Sequence, residues 1–497
     1  MVATLAPARS ACQAGSTSPV RLAETATPGR LFTNTQIRRS ELLAAMSTAL
    51  DLTEGQPAGH AARSCLIASK LAVKLGLPAL DRADVFYATM LKDLGCSSNA
   101  AKMTWLFGAD DRTVKHDIKT VDWRRAQSKF QFVNAHVAPG AGMFTRVMRF
   151  AALARSGSRG EKALVETRCE RGADIMRELR FPESAAQAVR HLDEHWDGGG
   201  HPTGAKGFEI PVAARLAGLA QTVEVFLNTL GARGAIGVAE LRRGTWFEPS
   251  LVDALVDLAD DKPFWDRLST VDLQVQLAEF EPADSVRVTD EDELDRICEA
   301  FAKVVDAKSP WTHKHSEGVA NIAVGIGAEL GLPPIMLRDL RRAGLLHDLG
   351  KLGVSNMILD KPGRPTDAEY AEIRKHPEYS EQILNRVHDF KRVADVACAH
   401  HERLDGRGYH HRTTGDHLPT EARLLAVADV CEALTADRPY RDGMPWEKTK
   451  SILRNDIGSA FCGDCVEACE SWHDKTTITP RIEAQLEEIE RLVGSIV

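Results

Sequence analysis

Apolar positions along the chain recur at helical spacing far more often than they alternate. Ala61 to Leu75 and Gly318 to Leu330 both repeat apolar residues every three or four positions, the period of an amphipathic helix. Runs in which Val, Ile or Thr alternate with polar residues are scarce, so the pattern predicts an all-α chain. Two helices are expected between about Leu31 and Gly76. A boundary is expected at Phe280 to Val288, a largely polar run broken by Pro282. Thr289 and Asp292 then read as the N-cap of the next helix. Near the C-terminus, Ile482, Leu486, Ile489, Val493 and Ile496 predict an amphipathic helix. Two heptads are too few for a stable coiled coil alone, so docking on its own domain is expected rather than dimerisation.

The hydrophobic pattern also repeats itself. HAARSCLIASKLAVKLGLP from His60 matches HSEGVANIAVGIGAELGLP from His315, and KDLGC from Lys92 matches HDLGK from His347, both 255 residues apart. EHWDGGGHPTG from Glu194 matches ERLDGRGYHHR from Glu402, and ARLAGLAQ from Ala214 matches ARLLAVAD from Ala422, both 208 apart. The chain therefore holds two copies of one helical unit, the first longer by 47 residues between Cys96 and Arg168. The expected organisation is a tail at 1–34, a first copy at 35–284 with its insert near 97–167, and a second copy at 288–497. Trp105, Phe107, Trp123, Phe130 and Phe132 predict that part of the insert is folded.

Composition narrows the class. The net charge of −8 gives no basic footprint for a nucleic acid polymer. No apolar run approaches the ~18 residues of a membrane span. The first 30 residues lack the apolar core of a signal peptide and read as a disordered tail. Ten cysteines without a dense framework fit a reducing cytoplasm. Cys462, Cys465, Cys469 and His473 have a spacing that zinc sites use, but Cys465 and Cys469 fall one helical turn apart and read better as core. A metal role for the nearby group His191, His195 and His201 is likewise not expected.

The chemistry gathers in the second copy. In Ala343 to Gly353, AGLLHDLGKLG, an apolar run leads into His347 and Asp348, a pair that is costly to bury without a partner. His376, the adjacent His400 and His401, and Asp429 follow in or beside apolar segments, and His315 opens the repeat. Five imidazoles and two carboxylates exceed one tetrahedral zinc and suit two divalent ions such as iron or manganese, with Asp348 as bridge. Two ions ~3.5–4 Å apart grip both ends of an in-line displacement, which suits phosphoester hydrolysis. Lys351 falls one helical turn beyond His347 and Asp348, within reach of a phosphate oxygen.

HDLGK, the spaced His376, HHERLDGRGY and ADVCEALTADRPYR together resemble the HD-GYP phosphodiesterases, a branch of the HD metal-dependent phosphohydrolases. The resemblance covers roughly Asp290 to Trp472. It implies an all-helical HD-type domain with a centre of two or three metals, and hydrolysis of cyclic di-GMP to pGpG or GMP. It also implies phosphate contacts from Lys351, Arg438 and Arg441. Another nucleotide substrate, or a silent binding or scaffold protein, is the alternative. Three positions depart from the family. His410 stands where the signature has proline, and His410 and His411 are expected as solvated loop residues rather than extra ligands. Trp311 stands where some members carry an acid for a third metal, so two metals are expected. Glu432 replaces a frequent Asp.

The first copy keeps His60 and Asp93 at the positions of His315 and Asp348 but has Lys92, Cys96, Arg168, Leu192, Asp193 and Gln221 at those of His347, Lys351, His376, His400, His401 and Asp429. It is expected to bind no metal pair, and to serve as an interface, in an internal pseudo-dimer or a homodimer, or as a sensor.

Overall fold

The helical spacing is realised as helices that start at matching points in the two sequence repeats. His60–Lys74 and His315–Glu329 open on the aligned histidines. Ala79–Met90 pairs with Pro334–Leu346, Glu183–Arg190 with Lys391–Ala397, and Val212–Leu241 with Thr420–Thr435. The computed structural model describes residues 37–478 apart from 123–124, 271, 284–285, 313 and 439–440. Among these residues the fold is all-α, with isolated β-bridges in place of sheets. The expected tail and the helix expected through Ile482 and Ile496 lie outside the described residues. No described helix is long and apolar enough to cross a membrane.

The boundary near Phe280 falls between the helices Leu273–Phe280 and Glu291–Asp306. The N-cap is Asp290 rather than Thr289: its carboxylate accepts from the Glu293 amide at 2.7 Å. A carboxylate at this helix start is favoured by the dipole as well as by the hydrogen bond.

One hydrophobic cluster runs through both repeats, from Leu42 and Met46 to Val466 and Cys469. The described residues form one compact unit. Within it the helix Arg39–Thr53 packs against the turn Leu349–Gly353 and the helix His376–Leu384 of the second repeat. Arg39 adds an ion pair to Glu293 at 2.8 Å. Cys465 and Cys469 are part of this core, and His473 stacks on Trp446 with ring centroids 3.8 Å apart.

The region of the insert carries Ala100–Phe107, Asp111–Ile118, Ala126–His136 and Met143–Glu178, the last interrupted at Gly157. Met103, Phe107, Val114, Phe132 and Val137 form a separate small core there. Of the aromatics that predict a folded insert, Phe107 and Phe132 meet edge-on in it, while Trp105 and Phe130 are exposed and Trp123 lies outside the described residues.

Candidate active site

The helix Pro334–Leu346 ends in a buried polar corner. It lies close on His315–Glu329 because residue 344 is glycine: a Cβ there would stand 2.7 Å from Ala320 Cα. His347 is its C-cap, and the chain tightens into the 3₁₀ turn Leu349–Gly353. The sequence places Lys351 on a continuing α-helix. In the 3₁₀ turn residues i and i+3 eclipse, so Lys351 stands over Asp348 and its ammonium meets Asp348 Oδ2. Gly350 permits this approach, since a Cβ there would lie 1.9 Å from the His376 carbonyl oxygen. The Gly350 amide donates to Ser380 Oγ at 2.8 Å, and Ser380 donates to the His347 carbonyl at 3.1 Å.

The seven ligand candidates converge around Asp348, which is 1% exposed. Its Oδ2 is 3.4 Å from His315 Nε2 and 3.3 Å from His347 Nε2. Its Oδ1 is 3.4 Å from His376 Nε2 and 3.8 Å from His400 Nε2. Asp429 Oδ1 lies 3.3 Å from His315 Nε2 and 3.7 Å from His347 Nε2. The ligand atoms of His315, His347 and Asp429 fall within 4.8 Å of one another, as do those of His376, His400 and His401. Asp348 therefore stands between two groups of three, with one oxygen toward each.

Backbone carbonyls fix three of the rings. Nδ1 of His347, His376 and His400 bonds the carbonyls of Gly344, Ile373 and Ala397 at 2.7, 2.7 and 2.6 Å. A carbonyl can only accept, which assigns the Nδ1–H tautomer and turns each Nε2 lone pair inward. His315 is held by a carboxylate instead: its Nδ1 bonds Glu432, which also accepts from Arg438 at 2.6 Å. Sequence reasoning passes over Glu432 as a mild substitution. The signal for it lies in the first repeat, where Glu224 stands 208 residues earlier and bonds the matching His60. Asp306 was also missed. It caps the His315 helix through Ser316 Oγ at 2.7 Å, as Asp51 caps the His60 helix through the Ala61 amide at 2.9 Å.

Burial pushes His376 down to about 3 and His401 down to about 4, and holds His400 well below its ordinary value. These are neutral imidazoles, the form that ligates metals. Burial opposes ionisation of Asp348, but His347, Lys351 and His315 outweigh it and keep the carboxylate well below its usual range. Asp429 is likewise held low against burial by His315 and His347. Two atoms of the cluster, His347 Nε2 and Asp348 Oδ1, are buried with no hydrogen-bond partner among the described residues. Orphaned buried polar atoms cost about 1–3 kcal/mol each. A divalent cation satisfies both, and a set of imidazoles and carboxylates without thiols suits iron, manganese or a similar ion.

Beside the cluster an open cleft of about 310 Å³ is lined by Trp311, Thr312, His315, Lys351, Ala433, Arg438 and Arg441. Arg441 donates to the Ala433 carbonyl at 2.8 Å. Arg438 commits one nitrogen to Glu432, while its Nη1 is buried without a hydrogen-bond partner among the described residues. His410 departs from expectation: its side chain is 8% exposed and meets Glu381 at 3.0 Å, because the loop folds back on the helix His376–Leu384. His411 is exposed and meets the same carboxylate at 3.1 Å.

The same corner of the first repeat is filled by protein cations. The Lys92 ammonium sits on Asp93. Lys119 reaches Glu54 at 2.8 Å and Asp93 at 3.9 Å, and Lys115 reaches Glu54 at 3.8 Å. Arg168, in the place of His376, pairs with Asp193. Burial disfavours the Glu54 carboxylate, but Lys119 and Lys115 hold it at about 2. Glu54, Asp93 and Cys96 lie close enough to grip an ion, yet their charge is already matched by ammonium groups. His191 bonds the Gln187 carbonyl at 2.8 Å and His195 stacks on Trp246, so both have structural partners.

Comparison with known proteins adds to this geometry. The HD domain family model matches residues 148–251 and 299–461. The chain is 40% identical over 429 residues to 3′3′-cGAMP-specific phosphodiesterase 3 of Vibrio cholerae, covering 86% of this chain and 93% of that one. A cyclic di-GMP phosphodiesterase of Pseudomonas aeruginosa is 39% identical over 145 residues, 29% of this chain and 34% of that enzyme. A solved structure of a cyclic GMP-AMP specific phosphodiesterase of V. cholerae superposes with a TM-score of 0.62 at 36% identity, covering 88% of this chain and 98% of the other.

Proposed function

The chain belongs to the HD-GYP phosphodiesterases of the HD-domain family, and on that premise we propose that its second repeat, 288–497, hydrolyses a cyclic dinucleotide, with 3′3′-cGAMP as the substrate. The observation that carries the reading is the convergence of His315, His347, Asp348, His376, His400, His401 and Asp429 in one buried cluster beside a polar cleft. The choice of 3′3′-cGAMP rests on the V. cholerae relative, which this chain matches over nearly its whole length. The shorter match to a cyclic di-GMP phosphodiesterase supports cyclic di-GMP as the second reading.

In this reading His315, His347 and Asp429 would hold one divalent ion and His376, His400 and His401 a second, with Asp348 available to both. Bound there, such ions supply Lewis-acid stabilisation of a phosphoryl group and activation of water. The carbonyl-bound imidazoles are oriented before substrate arrives, so no reorganisation is needed during reaction. Lys351 at the cleft wall offers a point charge to a phosphate oxygen, and Arg441 offers a planar donor pair. Arg438 serves first to hold Glu432, and through it His315. The first repeat, 35–284, takes no part in catalysis, because lysines stand where cations would be held.

Protein purified without chelator should carry about two metals at this cluster, as a two-metal site requires, and convert 3′3′-cGAMP when Mn or Fe(II) is added. Asp348→Ala should lose both the metal of this cluster and turnover. Turnover of cyclic di-GMP with 3′3′-cGAMP untouched selects the second reading. Ligand binding without metal or hydrolysis in the wild type removes both enzyme readings and leaves a binding protein.

A further inference from the structure

We propose that Glu381, His410 and His411 form a separate metal site, one that takes a zinc-type divalent ion and is independent of the catalytic reading. The loop that follows His400 and His401 folds back over the helix His376–Leu384 and lays two adjacent imidazoles on one carboxylate. His410 Nε2 is 3.0 Å from Glu381 Oε2, and His411 Nε2 is 3.1 Å from Glu381 Oε1. The three ligand atoms fall within 4.8 Å of one another. Zinc bonds of about 2.0–2.1 Å put tetrahedral ligand atoms roughly 3.4 Å apart, so the group needs only small shifts to close on an ion. Two imidazoles and a carboxylate are a familiar three-ligand zinc set with one position left for water.

The backbone is bent to achieve this pairing. Neighbouring side chains of an extended chain point to opposite sides, yet the two rings lie 3.8 Å apart and share Glu381. His410 has φ +93°, a region that costs a residue with a Cβ of order 1–3 kcal/mol. The turn is held by Glu402, which accepts from the amides of His411, Arg412 and Thr413 at 2.8, 3.0 and 3.0 Å.

The first repeat shows that the turn needs neither imidazole. There Glu194 accepts from the Thr203 and Gly204 amides at 2.6 and 3.1 Å. At the positions of Glu381, His410 and His411 it has Ala173, Pro202 and Thr203. The loop scaffold is thus common to both repeats, and the three ligands are additions specific to the second. The site also adjoins the catalytic cluster. Glu381 is on the helix opened by His376, and Tyr409 packs on His401 with ring centroids 4.6 Å apart. An ion here ties the loop carrying Tyr409 to the helix carrying His376.

The test is a total metal count. The holoprotein is dialysed against micromolar ZnCl₂, desalted, and analysed for all divalent metals per chain, a total that is blind to exchange at the His/Asp cluster. His410→Gly is suited to the positive φ and His411→Ala changes an exposed side chain, so both leave the fold in place, which circular dichroism checks. The expected result is one metal per chain fewer in each variant than in the wild type. A total in either variant that differs from the wild type by anything other than one overturns the proposal. The overturning result of equal totals identifies Glu381 as a hydrogen-bond acceptor only.

Discussion

Glu432 shows how much of a buried cluster is decided by a residue outside it. His347, His376 and His400 are oriented by carbonyls of their own chain turns, which no side-chain substitution removes. His315 depends on a side chain, and Glu432 in turn depends on Arg438. Glu432→Gln keeps the shape but removes the charge that the His315 ring and Arg438 share. Metal affinity should fall about 10–100-fold, measured by competition with a coloured chelator, while Glu421→Gln on the same helix leaves it unchanged. His60 offers a residue-scale prediction for stability. Burial lowers it from 6.5 to about 4, so between those values the unfolded chain binds a proton that the folded chain refuses. His60 should therefore contribute a loss of about 3 kcal/mol of stability as pH drops from 6.5 to 4. His60→Asn should flatten that part of the urea-midpoint profile, and an unchanged profile would contradict the assignment. The seven ligand candidates stand out in sequence because histidines and acids recur on or beside helices expected to be buried, four of them in two adjacent pairs. Glu432 and Asp306 do not, because a lone acid reads as solvated until its partner, His315 or Ser316, is located.

At the scale of elements, the decisive feature is the 3₁₀ turn Leu349–Gly353, on which the first repeat and the insert region both bear. Arg112 donates to the Gly353 carbonyl, and Asp111 accepts from the Asn356 amide at 2.9 Å with Lys308 3.6 Å away. Burial pulls the Lys308 amine down to about 8, against the opposing pull of Asp111. Asp111→Ala leaves the buried Asn356 amide without its acceptor and Lys308, which still bonds the Leu352 carbonyl, without this counter-charge, a cost of about 1–3 kcal/mol. Amide exchange in the segment 353–358 should speed up roughly 10–100-fold by the same free energy, read by mass spectrometry. Unchanged exchange would show that the insert region only covers the turn. The all-α class was legible from helical spacing, and a folded part of the insert from its aromatics. The place where Asp111 docks was not, since a single Asp at a helix start carries the local signal of an N-terminal acid and nothing of a partner 245 residues away.

Across the whole molecule the two repeats are one scaffold with two ways of neutralising the same buried carboxylate. In the second, imidazoles surround Asp348 and leave it an oxygen without a hydrogen-bond partner among the described residues. In the first, Lys92 and Lys119 bring their own positive charge to Asp93, from the HD-like turn and from the insert region. Ammonium groups stand in the first repeat where the reading puts metal ions in the second, so the first repeat is built like an occupied site with the chemistry removed. The insert region is part of that substitution, because Lys115 and Lys119 lie on or just beyond its helix Asp111–Ile118. Asp93→Ala separates the two roles. Removing one partner of a buried ion pair costs about 3–5 kcal/mol, so thermal or urea unfolding should come earlier. The folded protein should nonetheless keep the metal of its His/Asp cluster and its turnover per folded chain, both of which Asp348→Ala abolishes. Loss of metal from folded Asp93→Ala protein would mean that the first repeat also holds ions, and that the lysines there do not do what their positions imply.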